Sequence, residues 1–115
     1  MLIPYKKNHQ KIAMGLLSFM PAEKDLVKLR QTMEMYEKNP DWKLYVWKES
    51  DIIGVIGVVI DNGSAYLQHI CVNPSHRKEG IGKKMLEQLK TNLPCDLIPT
   101  KSTESFMAAC QEEEN

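Results

Sequence analysis

The sequence lacks most of the features that would assign a chain of 115 residues to a specialised class. No apolar run approaches the ~20 residues needed to span a bilayer, so a membrane protein is not expected. The opening stretch, MLIPYKKNHQ, has none of the long apolar core of a secretory signal. Neither sign of charge dominates: fifteen Lys and Arg balance fifteen Asp and Glu. No overall field therefore steers the chain towards nucleic acid or an anionic membrane. Cysteine is scarce and odd in number. Cys71, Cys95 and Cys110 are too widely spaced for a disulfide framework or a zinc site, so no metal is expected. Reduced thiols in a cytoplasm are the expectation. Internal repeats and low-complexity linkers are missing too. The chain reads as one domain, 1–115, with a polar tail, QEEEN, expected to fray.

What is present is ordinary globular patterning, 43% hydrophobic and 26% charged. LIPYK reads as a short strand, with Pro4 near its edge. Residues 8–20 place Ile12, Leu16 and Leu17 on one helical face, and Pro21 stops that helix. Residues 22–38 repeat the pattern with Leu26, Leu29, Met33 and Tyr36. WKLYVW and DIIGVIGVVI are β-rich runs. The Asp61–Gly63 stretch, DNG, signals a tight hairpin turn into SAYLQHICV. From Ile81 the period becomes helical through Met85, Leu86, Leu89 and Leu93, until Pro94. CDLI is short enough for one strand. Ser102 or Thr103 is expected to cap a last helix carrying Phe106, Ala109 and Cys110. The predicted order is β-α-α-β-β-β-α-β-α, an α+β fold, mostly antiparallel with one parallel pair around the third helix.

The most informative stretch is HICVNPSHRKEGIGKKM, residues 69–85. It places Arg77, Gly80 and Gly82 where a strand turns into a helix. A helix N-terminus offers unpaired N–H groups and the positive end of the backbone dipole, both of which attract phosphate. Bare glycines allow a diphosphate to approach, and Arg77, Lys78, Lys83 and Lys84 add charge. A dinucleotide fingerprint would need a third glycine where Met85 stands. A Walker A loop would need glycine at Arg77 and a hydroxyl at Lys84. A tight turn that holds no ligand is the remaining alternative.

The run of a strand, Val-Asn-Pro, Arg-x-x-Gly-x-Gly and a helix resembles the acetyl-CoA-binding motif of the GNAT acyltransferases. The YKK…KIAMGLLSFMP segment, the VNPSHR hinge and the SF…CQ near the end are also similar to small acetyltransferase-like proteins of bacterial riboflavin operons. The resemblance implies the GNAT fold, with acetyl-CoA as cosubstrate and a small-molecule or protein amine as acceptor. Backbone N–H groups from Arg77 through Lys78, Glu79, Gly80, Ile81 and Gly82 to Lys83 would hold the pyrophosphate. Ile70, Cys71 and Val72 would pair with the pantetheine where the two parallel strands part. The closing C-terminal hairpin usual in this fold is absent, so one wall of the acceptor side is expected to be low or supplied by a homodimer.

Catalytic groups are harder to find. Direct attack on the thioester needs an uncharged amine and a proton for the leaving thiolate. Strand alternation places Tyr66, Gln68, Ile70 and Val72 on one face, with Leu67, His69 and Cys71 on the other. By resemblance, the base positions are those of Tyr66 and Gln68, neither a good base at neutral pH. His69 is the other candidate, but only a β-bulge would re-aim it. The place of the usual acid is taken by Met107, after Phe106, and a thioether has no proton to donate. The residues thus leave open a catalytically silent acetyl-CoA-binding module as the alternative to an enzyme.

Overall fold

Pro99 marks where the central sheet opens. In the computed structural model, which describes residues 1–113 and leaves aside the side chains of Ala22 and residues 111–113, five strands lie in sequence order. They are β1 (Leu2–Pro4), β2 (Trp42–Lys48), β3 (Ile52–Asp61), β4 (Ser64–Val72) and β5 (Leu97–Pro99). The first four pair antiparallel, and β5 runs parallel to β4 from Ala65↔Leu97 to Leu67↔Pro99. Proline has no N–H to continue the ladder. Two threonine hydroxyls take over, because Thr100 Oγ1 and Thr103 Oγ1 both donate to the Leu67 carbonyl, at 2.8 and 2.9 Å. Beyond that point the pocket lining comes from β4 alone of the two strands, at Ile70, Cys71 and Val72.

The helices are α1 (Gln10–Leu17), α2 (Leu26–Lys38), α3 (Ile81–Asn92) and α4 (Glu104–Glu113), giving the predicted order of elements. One core joins Ala13, Leu16 and Leu17 of α1 and Leu29, Met33 and Tyr36 of α2 to Val46, Val55 and Cys71 of the sheet. The other joins Ile81, Met85, Leu86 and Leu89 of α3 and Met107 of α4 to Ile56, Val58, Leu67, Ile70 and Val72. The sheet is therefore covered on both faces. Asn62 and Gly63 both have positive φ, +50° and +79°, as a two-residue primed turn between β3 and β4 requires.

Several local expectations are corrected. Ile12 is exposed, because the buried stripe of α1 runs through Ala13, Leu16 and Leu17. Leu26 is exposed as well: α2 starts only after Asp25, whose carboxylate accepts the Val27 N–H at 2.9 Å. Residues Pro21–Glu23 form a separate 3₁₀ turn. The Thr103 hydroxyl accepts the Thr100 N–H and donates to β4, so it fastens α4 to the sheet. Of the expected fraying tail, residues 114 and 115 lie outside the described residues.

The largest correction concerns β4. Gly57 pairs with His69, whereas Val58 pairs with Leu67, so the register skips Gln68. This bulge breaks strict alternation. Leu67 shares the α3 face with Ile70 and Val72, and not the face of His69 and Cys71. Tyr66, next to Leu67, is then turned to the α1–α2 side, away from the face of Ile70 and Val72 where alternation had placed it.

Candidate active site

A cavity of about 430 Å³ lies where β4 and β5 have parted. Its lining includes Ile70–Val72 on β4, Arg77, Lys78 and Gly80–Lys83 at the start of α3, Phe106 and Cys110 on α4, and Phe19–Pro21 after α1. The sequence-predicted cofactor residues thus meet in one place. Glu79 is the exception: it is exposed on the hinge and pairs with His76, Nδ1 to Oε1 at 3.5 Å.

The hinge is tightly wound. Asn73 Oδ1 accepts the Ser75 N–H at 2.9 Å, Pro74 starts a 3₁₀ turn, and two left-handed residues follow. Lys78 has φ +69° and Gly80 φ +77°. Gly80 is the residue before α3, and its carbonyl accepts the Lys84 N–H at 3.1 Å. A side chain at 80 would meet open space, so it is the backbone conformation that asks for glycine there. Gly82 differs. A Cβ on it would overlap the Phe106 ring, so its bareness lets α4 close over the first turn of α3.

Arg77 points inward from the hinge. Its Nε donates to the Val72 carbonyl at 3.2 Å, and its guanidinium lies 5.9 Å from the Phe19 ring centroid. Cys71 lines the same cavity. Burial pushes its thiol pKa up, against the opposing pull of Arg77, so a thiolate nucleophile is disfavoured.

His69 sits behind the β4 wall and is 5% exposed. Tyr36 Oη is 2.5 Å from its Nδ1, and Glu23 Oε1 is 2.9 Å from its Nε2. Thr32 Oγ1 donates to the other Glu23 oxygen at 3.0 Å. A carboxylate offers only acceptors, so Nε2 carries the hydrogen and Nδ1 accepts from the tyrosine. Every bond then has one proton and the imidazole is neutral. Burial holds the His69 pKa below its ordinary value, with nearby Lys28 adding to that, against the pull of Glu23. Burial, then Glu23, keeps the Tyr36 hydroxyl protonated far above the usual range. Both ring nitrogens of His69 are thus engaged by protein groups, Nδ1 by Tyr36 and Nε2 by Glu23.

Tyr66 and Gln68 are half-buried, and Met107, where an acid would stand, is buried in the core beneath α4. Sequence reasoning missed Glu23 and Thr32, and it did not join Tyr36 to His69. Spacings of 9 to 46 residues connect these groups, and no short motif carries them. The Phe19–Pro21 wall was equally hidden, read only as a helix end. Among the described residues no group of three or more His, Cys, Asp and Glu is arranged to hold a metal ion. Nor, among them, is any helix long and apolar enough to cross a membrane.

A mixed sheet that splits beside a glycine-started helix, with cations around the opening, suits an extended ligand that carries phosphate. Residues 40–110 match the model of the acetyltransferase (GNAT) domain. A Bacillus methanolicus protein described as an uncharacterized N-acetyltransferase in the lysA 3′ region is 54% identical over 114 residues, covering 96% of this chain and 95% of its own. The chain belongs to the GNAT N-acetyltransferase family. Solved structures with the same fold include an aminoglycoside 6′-N-acetyltransferase, AAC(6′)-Ig, from Acinetobacter haemolyticus. It has a TM-score of 0.77 at 13% identity, over 99% of this chain and 88% of its own. AAC(6′)-Iy, in complex with a CoA-based bisubstrate analogue, has a TM-score of 0.74 at 17% identity, over 99% and 87%. A possible acetyltransferase from Clostridium difficile 630 reaches 0.77 at 14% identity, over 99% and 87%.

Proposed function

We propose that the protein transfers an acetyl group from acetyl-CoA to an amine, with the cosubstrate in the cavity between β4, α3 and α4. The observation that carries this reading is the opening of the sheet beside the cationic first turn of α3, lined by Ile70–Val72 and Gly80–Lys83. The residues suit the group. Backbone N–H groups of the 77–83 turn are the donors for a pyrophosphate, and Lys78 and Lys83 supply charge. The β4 edge from Ile70 to Val72 offers main-chain partners to an extended amide arm. Arg77 already donates to the Val72 carbonyl in this structure, and that oxygen's second lone pair can take a pantetheine N–H.

Acetyl-CoA supplies a thioester that an uncharged amine attacks directly, expelling the thiolate. The chain's own contribution is orientation and polarisation. Backbone N–H near Val72 stabilises the developing oxyanion, and water takes up the amine's proton. With no dedicated base, the amine's own pKa governs the rate, which rises towards alkaline pH.

The narrower likeness to RibT, the acetyltransferase-like protein of bacterial riboflavin operons, makes a flavin-pathway amine or enzyme the acceptor to try first, in the cytoplasm. The partners in this reading are acetyl-CoA, the amine and a second copy of the chain. The occupied ring nitrogens of His69 and the buried Met107 favour a second reading, a catalytically weak acetyl-CoA-binding regulatory module. An amine screen that follows thiol release decides between them. Acceptor-dependent release supports the enzyme; tight cofactor binding with no release from any pool supports the module.

A further inference from the structure

Glu23 and His69 form a buried hydrogen bond, with side chains 4% and 7% exposed. A buried polar cluster of this kind has to keep every group bonded to offset its lost hydration, a demand that an apolar core does not make. The arrangement therefore calls for a reason beyond packing, and its connections supply one. Glu23 ends the 3₁₀ turn that begins at Pro21, the last of the three cavity-lining residues Phe19, Met20 and Pro21. Its N–H donates to the Met20 carbonyl at 2.9 Å. His69 lies in β4 between the skipped Gln68 and the cavity-lining Ile70. That is where β4 leaves β5 and becomes the pocket's own edge. Tyr36 braces the imidazole from α2, and it reaches Nδ1 only because residue 57, the pairing partner of His69, has no side chain. A Cβ there would overlap the Tyr36 hydroxyl.

We infer that His69 is a positioning residue for acyl-CoA: held between Glu23 and Tyr36, it locks the cavity wall at Phe19–Pro21 to the β4 edge at Ile70–Val72. The inference rests on the reading that this cavity receives acyl-CoA. His69 touches neither cosubstrate nor acceptor. It sets the direction in which β4 emerges from the bulge and the place of the wall beside it. No proton moves through it.

The test is calorimetric titration with acetyl-CoA of the wild type, Glu23→Gln, Glu23→Ala and His69→Ala, each checked by circular dichroism at the titration temperature. A glutamine oxygen still accepts the Nε2 hydrogen, so Glu23→Gln should keep the affinity within about twofold. Glu23→Ala and His69→Ala, folded, should weaken binding about tenfold, the size of coupling carried through a contact network. In the wild type, the ¹⁵N resonances of the His69 ring should shift when acetyl-CoA saturates the protein. Folded alanine variants that bind within twofold of wild type would overturn the inference. Should the alanine variants not fold, unmoved His69 resonances in the saturated wild type would overturn it instead. A wild type that does not bind acetyl-CoA would fail at the earlier step, the assignment of the cavity itself.

Discussion

Phe106 lies against Gly82, its ring in the space where a side chain at residue 82 would stand. The second glycine of the Arg-x-x-Gly-x-Gly run thus has a packing role in this chain. It lets α4 cover the first turn of α3 and form one side of the cavity. Gly82→Ala should destabilise the protein by about 1–3 kcal/mol, the usual cost of overpacking. Adding Phe106→Ala should relieve part of that cost. A denaturant double-mutant cycle should therefore return a coupling of about 1 kcal/mol or more. Additive effects would mean that the ring moves aside freely.

Gly57 and Tyr36 provide a parallel case on the other face of the sheet. Tyr36→Phe leaves His69 Nδ1 buried without its donor and should cost about 1–3 kcal/mol. In a Gly57→Ala background, where the hydroxyl is already displaced, the same change should cost much less. Urea midpoints of the four proteins check this.

The neutral, buried His69 has a consequence for pH. Its pKa is lower in the folded state than the ordinary ~6.5 of an unfolded chain. Below ~6.5 the unfolded chain therefore binds a proton that the folded one refuses. Stability is fully present above that value and falls as the pH drops towards the folded pKa. Urea unfolding between pH 8 and pH 5 should show this decline, and His69→Gln should flatten it. A wild type that gains stability on acidification through this window would contradict the neutral imidazole.

Much of this fold was legible because its signals are local. The Asn62–Gly63 turn, the proline stops and the 3.6-residue period from Ile81 each act within a few residues, and the order of elements follows from them. Four positions of the α3 stripe, Ile81, Met85, Leu86 and Leu89, are buried as their spacing requires. The bulge at Gln68 was not legible. It shows only in the pairing with Gly57 and Val58 across the sheet, so alternation read along β4 alone gave the wrong face for Leu67 and for Tyr66. For the same reason no local signal singled out Glu23. Its burial depends on His69, 46 positions away.

Lys78 and Lys83 stand beside the glycine turn, and their proposed partner is a diphosphate. Reversing both charges, Lys78→Glu with Lys83→Glu, should weaken binding of coenzyme A by about tenfold or more in low salt. Binding of pantetheine, which has no phosphate, should be unchanged. Raising the salt should narrow the gap between the variant and the wild type for coenzyme A. Equal losses for both ligands would place the lysines elsewhere in recognition.

The most direct test of the account is calorimetry of acetyl-CoA with the intact chain at neutral pH. The account predicts one site per chain, with a dissociation constant in the range of about 1 μM to 1 mM typical of enzyme substrates. It also predicts that amide signals of Ile70–Val72 and Gly80–Lys83 move first in a parallel NMR titration. A folded protein that shows no saturable heat at millimolar acetyl-CoA, or one whose shifts fall outside the β4–α3–α4 cavity, would contradict it.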